Sequence, residues 1–228
     1  MGDFADAFLN GAVLARYAPD ILAGAGVTVG LSVLIVATGL ALGLALASAR
    51  ALAPGPARLP IVVFADVFRA LPPLVLILIA YFGLPNVGVF LSSFLVLYLV
   101  LALVLAAFAE EIFWAAITSV RRGQWEAARS TGLGPAQALG WVVLPQAVRL
   151  AVAPLTNRAI AITKMTALGT VIGVSDILNQ AQTAQSFSGN ASPLLLAAAA
   201  YAVIFLPFVV ASRWLETRLA GAGTGAAR

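Results

Sequence analysis

Six charged residues lie inside otherwise apolar stretches of this sequence, and they are the side chains best suited to bind a polar solute. A charge at the centre of a bilayer costs about 2.5–3.5 kcal/mol on insertion scales, so such groups face a cavity or one another. Solute binding and purely structural pairing are both open for each of them. The set contains three acids and three bases whose formal charges cancel: Asp66, Arg69, Glu110, Glu111, Arg158 and Lys164.

A zwitterion needs hydrogen-bond donors at its carboxylate and acceptors at its ammonium, and this set offers both. Lys164, between Thr163 and Thr166, lies deep in an apolar stretch, and we expect it to be a functional charge. Charges near the ends of a span can reach the interface at little cost. The residues that we expect to line a solute path are Arg69, Glu110, Glu111, Thr163, Lys164 and Thr166.

Most catalytic chemistry is excluded by composition. The chain has no cysteine and no histidine, so it has no thiolate metal site and no histidine acid or base. The adjacent acids Glu110 and Glu111 would point about 100° apart on a helix, which does not suit a carboxylate pair. No phosphate-binding G-x-x-x-x-G-K-[ST] motif occurs. We therefore predict no catalytic residue, no metal, no cofactor and no nucleic-acid partner.

The elements that must position these charges are apolar helices. Hydrophobic residues make up 62% of the 228 residues and charged residues 10%, whereas a soluble domain has about 25% charged residues. Stretches of about 20 apolar residues cross a bilayer as helices. We predict one all-α, polytopic membrane domain over 1–228, with a polar loop at 118–146 and five spans at 21–49, 59–82, 87–109, 147–174 and 193–212.

The arginines indicate the orientation, because cytoplasmic loops carry an excess of basic residues. With the 118–146 loop inside, Arg16 alone faces outside and the C-terminus is cytoplasmic. The N-terminus is then external, and its acidic character does not favour a cleaved signal peptide. The arginines placed in the cytoplasm are Arg50, Arg58, Arg121, Arg122, Arg129, Arg149, Arg213, Arg218 and Arg228.

The polar loop contains the most specific motif of the chain. Glu126-Ala127-Ala128 is followed after three residues by Gly132 and after nine more by Val142-Val143-Leu144-Pro145. Good helix formers followed by glycine, and a second helical run before Pro145, predict a helix, a turn and a helix. The small Ala127 and Ala128 would allow a partner surface to approach. The motif resembles the cytoplasmic coupling loop of bacterial ABC importer permeases.

The resemblance extends over about residues 20–215 and is closest to the polar amino acid permease group. It rests on the stretches around Arg69, Glu111, Glu126, Leu144-Pro145 and 163–168. It implies a type I ABC importer permease fold in the bacterial inner membrane. It also implies an identical or similar second permease, two ATPase subunits, an external solute-binding protein, membrane lipid and an amino-acid substrate. In the coupling loop it implies that Glu126, Ala127, Ala128, Gly132, Leu144 and Pro145 contact or position the ATPase.

Two departures from the family pattern affect the expected substrate. Met165 stands where many relatives have an acid beside the lysine, and Glu110 is an additional acid next to Glu111. A cationic side chain would lose a charge partner at Met165, so we predict polar amino acids with neutral or acidic side chains. The alternatives are a secondary transporter or a channel subunit for small polar solutes.

Overall fold

The chain forms a helical bundle, seen in a computed structural model that describes the backbone of residues 2–224. Side chains are described for residue 4 and residues 6–214, so those of Arg218 and Arg228 lie outside the described residues. The all-α prediction is confirmed over this part of the chain, which contains no strand. The helices are α1 (Gly2–Phe8), α2 (Gly11–Leu52), α3 (Leu59–Ala70), α4 (Pro73–Gly83), α5 (Ser93–Ser119), α6 (Arg122–Ser130), α7 (Pro135–Ala138), α8 (Leu144–Lys164), α9 (Ile177–Ser188) and α10 (Ser192–Thr224).

Helix α5 is the centre of the bundle and packs against α2, α3, α4 and α8. Its closest neighbour is α2, whose buried residues recur every three or four positions along one face. At Gly43 the two helices come so near that an added Cβ would lie 2.5 Å from the Cβ of Ala109. A glycine there lets the backbones approach, which is the way helices gain contact area in membranes.

The predicted span 59–82 consists of two helices separated by Leu71 and Pro72. Helices α3 and α4 meet at an angle of 102°. Leu71 has an extended backbone with ψ 138°, as expected for a residue before a proline, and Pro72 and Pro73 cannot donate helical hydrogen bonds. The two halves form a bent helix pair, with Asp66 and Arg69 on the first half.

Within residues 2–224, four helical segments are long and apolar enough to cross a membrane, or five if the bent pair counts as one span. Their bounds differ from those predicted. The third span starts at Ser93 rather than 87, because Gly88 with φ 81° turns the chain and Ser92 caps the helix. It continues to Ser119 rather than ending at 109, since Glu110 is buried in the bundle and paired with Arg50.

The last two spans also differ from the prediction. Helix α8 ends at Lys164, and the chain continues as a 3-10 helix, Met165–Ile172. The segment between these two spans forms α9, with Asp176 as its N-cap and Gly189 (φ 62°) after its last residue. Helix α9 packs on α2 and α10, where Ile21, Ile177, Ala181 and Ala197 are buried together.

Candidate functional site

The predicted coupling loop is an ordered segment made of α6, a tight turn and α7. Helix α6 ends in two hydrogen bonds: the N–H of Gly132 donates to the carbonyl of Arg129 (3.1 Å), and that of Leu133 to the carbonyl of Ala128 (3.4 Å). This is the Schellman pattern, which places its turn residue in a left-handed conformation. Gly132 has φ 90°, a value that glycine adopts without the steric cost of a Cβ.

One side of this segment is fixed to the bundle. Ala128 is 6% exposed, Trp125 packs against a buried cluster on α5 and α8, and Gln146 donates to Gln124 across 3.4 Å. The expectation that both alanines face a partner is therefore wrong for Ala128, which packs inside the chain. Ala127 is exposed and remains available to a partner.

The opposite side of α6 is polar and open. The side chain of Glu126 is 68% exposed and pairs with that of Arg122 at 3.4 Å, one turn earlier on the same helix. Such an exposed pair contributes little to stability, about 0–1 kcal/mol. Glu126 is therefore free to exchange this contact for one with another protein.

The segment continues into α8 without interruption, although Pro145 was predicted to end the second helix. A π-helical turn, Leu139–Val143, precedes α8, and the N–H of Leu144 donates to the carbonyl of Leu139. Pro145 occupies the first turn of α8, where its missing N–H costs least. Helix, π turn and helix form one segment, Pro135–Ile172.

A cluster of acids and bases joins α2, α3 and α5. Arg50 Nη1 lies 3.0 Å from Glu110 Oε1 and 3.5 Å from Glu111 Oε2. Arg69 lies 3.4 Å from Glu111 and 2.7 Å from Asp66. Three of the predicted solute-path residues, Arg69, Glu110 and Glu111, are thus brought together, but they bind one another and Arg50.

The exposures of these groups differ widely. The side chain of Glu110 is fully buried, whereas that of Glu111 is 40% exposed. Arg50 also stacks on Trp114, with its guanidinium carbon 4.4 Å from the ring centroid. Sequence reasoning missed Arg50 because it was counted as a loop residue; it lies in the last turn of α2, facing α5. The geometry favours structural pairing for Glu110, and of the two adjacent acids Glu111 is the accessible one.

The second candidate group lies at the end of α8. Lys164 is exposed and has no hydrogen bond or ion pair within the described part of the chain. It borders a cavity of about 420 Å³ between the end of α8, the following 3-10 helix and α10. The described residues lining this cavity are Lys164, Ala167, Tyr201, Ala202, Phe205, Leu206 and Val209.

Thr163 and Thr166 do not join Lys164 in this cavity. Both are buried, at 4% and 0% exposure, and their hydroxyls donate to backbone carbonyls of the same helical segment. Threonine commonly makes such local bonds within helices. The prediction that they line a solute path is therefore wrong, and the cavity is lined instead by α10.

Asp176 is a buried acid that sequence reasoning missed. Its carboxylate accepts hydrogen bonds from the Thr170 hydroxyl (2.9 Å), the Asn179 N–H (2.8 Å) and the Tyr201 hydroxyl (3.3 Å). Burial raises the pKa of this carboxyl, and the three hydrogen bonds oppose that effect. The sequence did contain a signal for this residue, because an aspartate directly before a helical pattern is a common N-cap.

Comparison with known proteins identifies similar chains. Residues 39–221 match the family of the binding-protein-dependent transport system inner membrane component. The probable amino-acid ABC transporter permease YckA of Bacillus subtilis (strain 168) is 34% identical over 72% of this chain and 73% of its own. The probable glutamine ABC transporter permease GlnP of the same strain is 34% identical over 69% and 74%. The arginine transport system permease ArtQ, also from this strain, is 31% identical over 68% and 72%.

Two solved structures have the same fold. A crystal structure of an amino acid ABC transporter with histidines has a TM-score of 0.80 and 33% identity, and the match covers 90% of this chain and 96% of that one. The MetNI methionine ABC transporter in an inward-facing conformation has a TM-score of 0.62 over 96% and 100% of the two chains. Its identity of 18% limits that comparison to the fold.

Proposed function

Because this chain belongs to the family of binding-protein-dependent transport system inner membrane components, we propose that it is the permease subunit of an amino-acid importer driven by a separate ATPase. The names of YckA, GlnP and ArtQ support amino acids as the substrate class. A secondary transporter or a channel subunit would have no use for an ATPase-docking segment. ATP is hydrolysed by the partner subunit. This subunit uses the resulting conformational change to move the solute across the membrane.

The observation that carries the proposal is the exposed side of α6. Glu126 and Ala127 face solvent on a helix that Trp125 and Ala128 fix to the bundle. A docking segment needs both an exposed side and a firm attachment to the bundle. The exposed side lets a partner bind, and the attachment transmits the partner's movement to the spans. Gly132, Leu144 and Pro145 shape the segment, and on this proposal they position it for the ATPase.

The complete importer contains two permease subunits, two ATPases and an external solute-binding protein. The second permease is identical or similar to this one, and membrane lipid covers the remaining apolar helix faces. With α6 in the cytoplasm, Arg50 and Arg58 at the end of α2 lie on the same side of the membrane. Arg16 lies at the other end of α2, beside an external cavity of about 670 Å³ that Tyr17 and Phe187 also line.

A charge reversal at Glu126 on α6 tests whether this helix docks the ATPase. Glu126→Lys should abolish solute-stimulated ATP hydrolysis and uptake by the reconstituted importer, while the unfolding temperature changes little because the side chain is 68% exposed. Arg122→Glu is the matched control, since it reverses the other charge of the same exposed pair. An equal loss of ATP hydrolysis and uptake in both variants would indicate a general charge effect and refute a specific role of Glu126. Full transport by Glu126→Lys would likewise refute its role in docking the ATPase.

The orientation has its own test in this cysteine-free chain. A single cysteine at Gln124, exposed on α6, should react with an impermeant thiol reagent only after the cells are opened. A cysteine at Phe187, which is 80% exposed on α9, should react in intact cells. Labelling of Gln124→Cys from outside would reverse the orientation.

For the substrate, we propose polar amino acids with neutral or acidic side chains over cationic ones. Met165 removes the acid that many relatives carry, and Glu110 does not replace it because Arg50 binds both of its carboxylate oxygens. Lys164 is proposed to bind the substrate carboxylate. Competition uptake measures the preference, and tighter transport of arginine or lysine than of glutamine or glutamate would refute it.

A further inference from the structure

The cluster of charges between α2, α3 and α5 contains one contact that can open without leaving a charge unpaired. We propose that a latch, the ion pair of Arg69 on α3 with Glu111 on α5, holds the bent helix pair against α5 and opens during each transport cycle. The inference rests on the proposed function, since it takes the chain to be a moving part of an ATP-driven importer. It assigns Arg69 and Glu111 to each other rather than to the solute.

The part of the cluster that joins α2 to α5 is fixed. Arg50 Nη1 donates to both carboxylate oxygens of Glu110, at 3.0 and 3.2 Å, and the Glu110 side chain is fully buried. The guanidinium carbon of Arg50 also lies 4.4 Å from the centre of the Trp114 ring. Separating such a buried pair leaves an uncompensated charge inside the protein, which is strongly unfavourable. The contact between α2 and α5 is therefore costly to break.

The latch differs from this contact because each of its members has a second partner. Arg69 Nη1 lies 3.4 Å from Glu111 Oε2, while Arg69 Nη2 donates to Asp66 Oδ1 at 2.7 Å. Glu111 Oε2 also accepts from Arg50 Nη1 at 3.5 Å. When the latch opens, Arg69 keeps Asp66 on its own helix. Glu111 likewise keeps Arg50, so the main cost of separating an ion pair inside a protein does not arise.

The distances make the latch the weaker of the two contacts of Arg69. Charge-assisted N–H···O bonds are usually about 2.7–2.9 Å long. The bond to Asp66, at 2.7 Å, has this length, whereas the latch is longer, at 3.4 Å. Asp66 and Glu111 thus share the positive charge of one guanidinium. Neutralising Asp66 should therefore strengthen the latch, and neutralising Glu111 should abolish it.

The latch lies beside the break between α3 and α4. Arg69 is in the last turn of α3, two residues before the extended Leu71. The N–H of Leu71 donates back to the carbonyl of Val67 (3.2 Å), and that of Leu76 donates back to the carbonyl of Pro72 (3.2 Å). These hydrogen bonds end on either side of the break, and helix ends of this kind can absorb the dihedral changes of a hinge. Opening the latch therefore frees the end of α3 to move relative to α5.

Solute-free ATP hydrolysis by the purified permease–ATPase complex in lipid bilayers tests the latch, because no bound amino acid contributes to this rate. Glu111→Gln removes the latch and should raise the rate about two- to fivefold, the effect of losing a weak ion pair. Asp66→Asn leaves the Arg69 charge to Glu111 and should lower the rate by a similar factor. A general loss of structure would shift both variants in the same direction. Shifts in the same direction, or no shift, would overturn the proposal.

Combined and conservative variants test whether these residues act through one another. In the double variant Asp66→Asn with Glu111→Gln there is no latch to strengthen, so its rate should equal that of Glu111→Gln alone. Arg69→Lys keeps the positive charge and should stay closer to the unmodified rate than Arg69→Gln. If Asp66→Asn lowered the rate by the same factor with and without Glu111, the sharing of Arg69 between the two acids would be refuted.

Uptake measurements separate the latch from a solute site and from the proposed function. A Glu111 that binds the solute predicts that Glu111→Gln weakens uptake and leaves the solute-free rate of hydrolysis unchanged. That result would refute the latch and leave the proposed function intact. A complex that takes up no amino acid with ATP would refute the proposed function, and the latch as a part of a transport cycle with it.

Discussion

Replacing Gly132 with alanine measures how much the left-handed backbone at the turn between α6 and α7 contributes to the stability of α6. A Cβ added there meets nothing within 4 Å, so the substitution introduces no clash. The cost comes from φ 90° alone, because a side chain in the left-handed region costs roughly 1–2 kcal/mol. The two hydrogen bonds that end α6 depend on that conformation, and we expect α6 to open more often in the variant.

Gly123 provides the matched control. It also has nothing within 4 Å of an added Cβ, but it lies inside α6 with ordinary helical geometry. Gly123→Ala should therefore stabilise α6, by about 0.5–1 kcal/mol at most. Gly132→Asn is a second control, since asparagine tolerates the left-handed conformation better than alanine.

Amide hydrogen exchange of α6 measures the effect directly. A loss of 1–2 kcal/mol lowers protection about 5–30-fold. Gly132→Ala should show this loss together with reduced ATPase stimulation, while the unfolding of the spans is unchanged. Equal protection of α6 in the Gly132→Ala and Gly123→Ala variants would show that the left-handed conformation at position 132 does not stabilise α6.

Three further predictions concern the packing and charge of the bundle, two of them with a control variant. Glu110→Ala should cost up to about 3–5 kcal/mol because it removes the buried carboxylate of the pair and leaves Arg50 with only the more distant Glu111. Glu111→Ala, at a 40% exposed side chain, should cost about 1 kcal/mol or less in the same unfolding assay. Gly43→Ala should lower stability by about 1–3 kcal/mol through overpacking, and Gly30→Ala, with open space around it, should not. Burial raises the pKa of Asp176, so ionisation of its carboxyl is disfavoured in the folded state. The free energy of unfolding should therefore decline as the pH rises above the ordinary pKa of 3.8. Asp176→Asn should make the free energy of unfolding less dependent on pH, which unfolding experiments across this pH range measure.

The hydrophobic pattern of the sequence was sufficient to predict the helical class and a chain with several helices apolar enough to cross a membrane. It did not predict where α5 ends, because Glu110 looked like a boundary residue and is instead neutralised by Arg50 on α2. A sequence read in short windows cannot show a partner 60 residues away. Two consecutive prolines, Pro72 and Pro73, are enough to interrupt a helix, but the 102° angle between its halves depends on tertiary packing.

The site was predicted best where its geometry is local. The turn at Gly132 follows from glycine after a helix, and the structure places it there. Thr163 and Thr166 were expected beside Lys164 because of sequence proximity, yet a helix turns neighbouring side chains to different faces. Tyr201 comes from another helix altogether, and a single sequence contains no signal that connects it with Asp176.

The unbroken path from the coupling segment into α8 makes that helix a mechanical lever. It starts at Leu144 and reaches Lys164 after 21 residues, a rod about 30 Å long. A tilt of only about 5° at its base would carry the far end about 3 Å sideways over that length, which is the full length of a hydrogen bond. On the proposed function, a small movement at the cytoplasmic end of α8 is therefore enough to make or break a contact at Lys164, and a bend of the helix at Pro154 would set the direction of that movement.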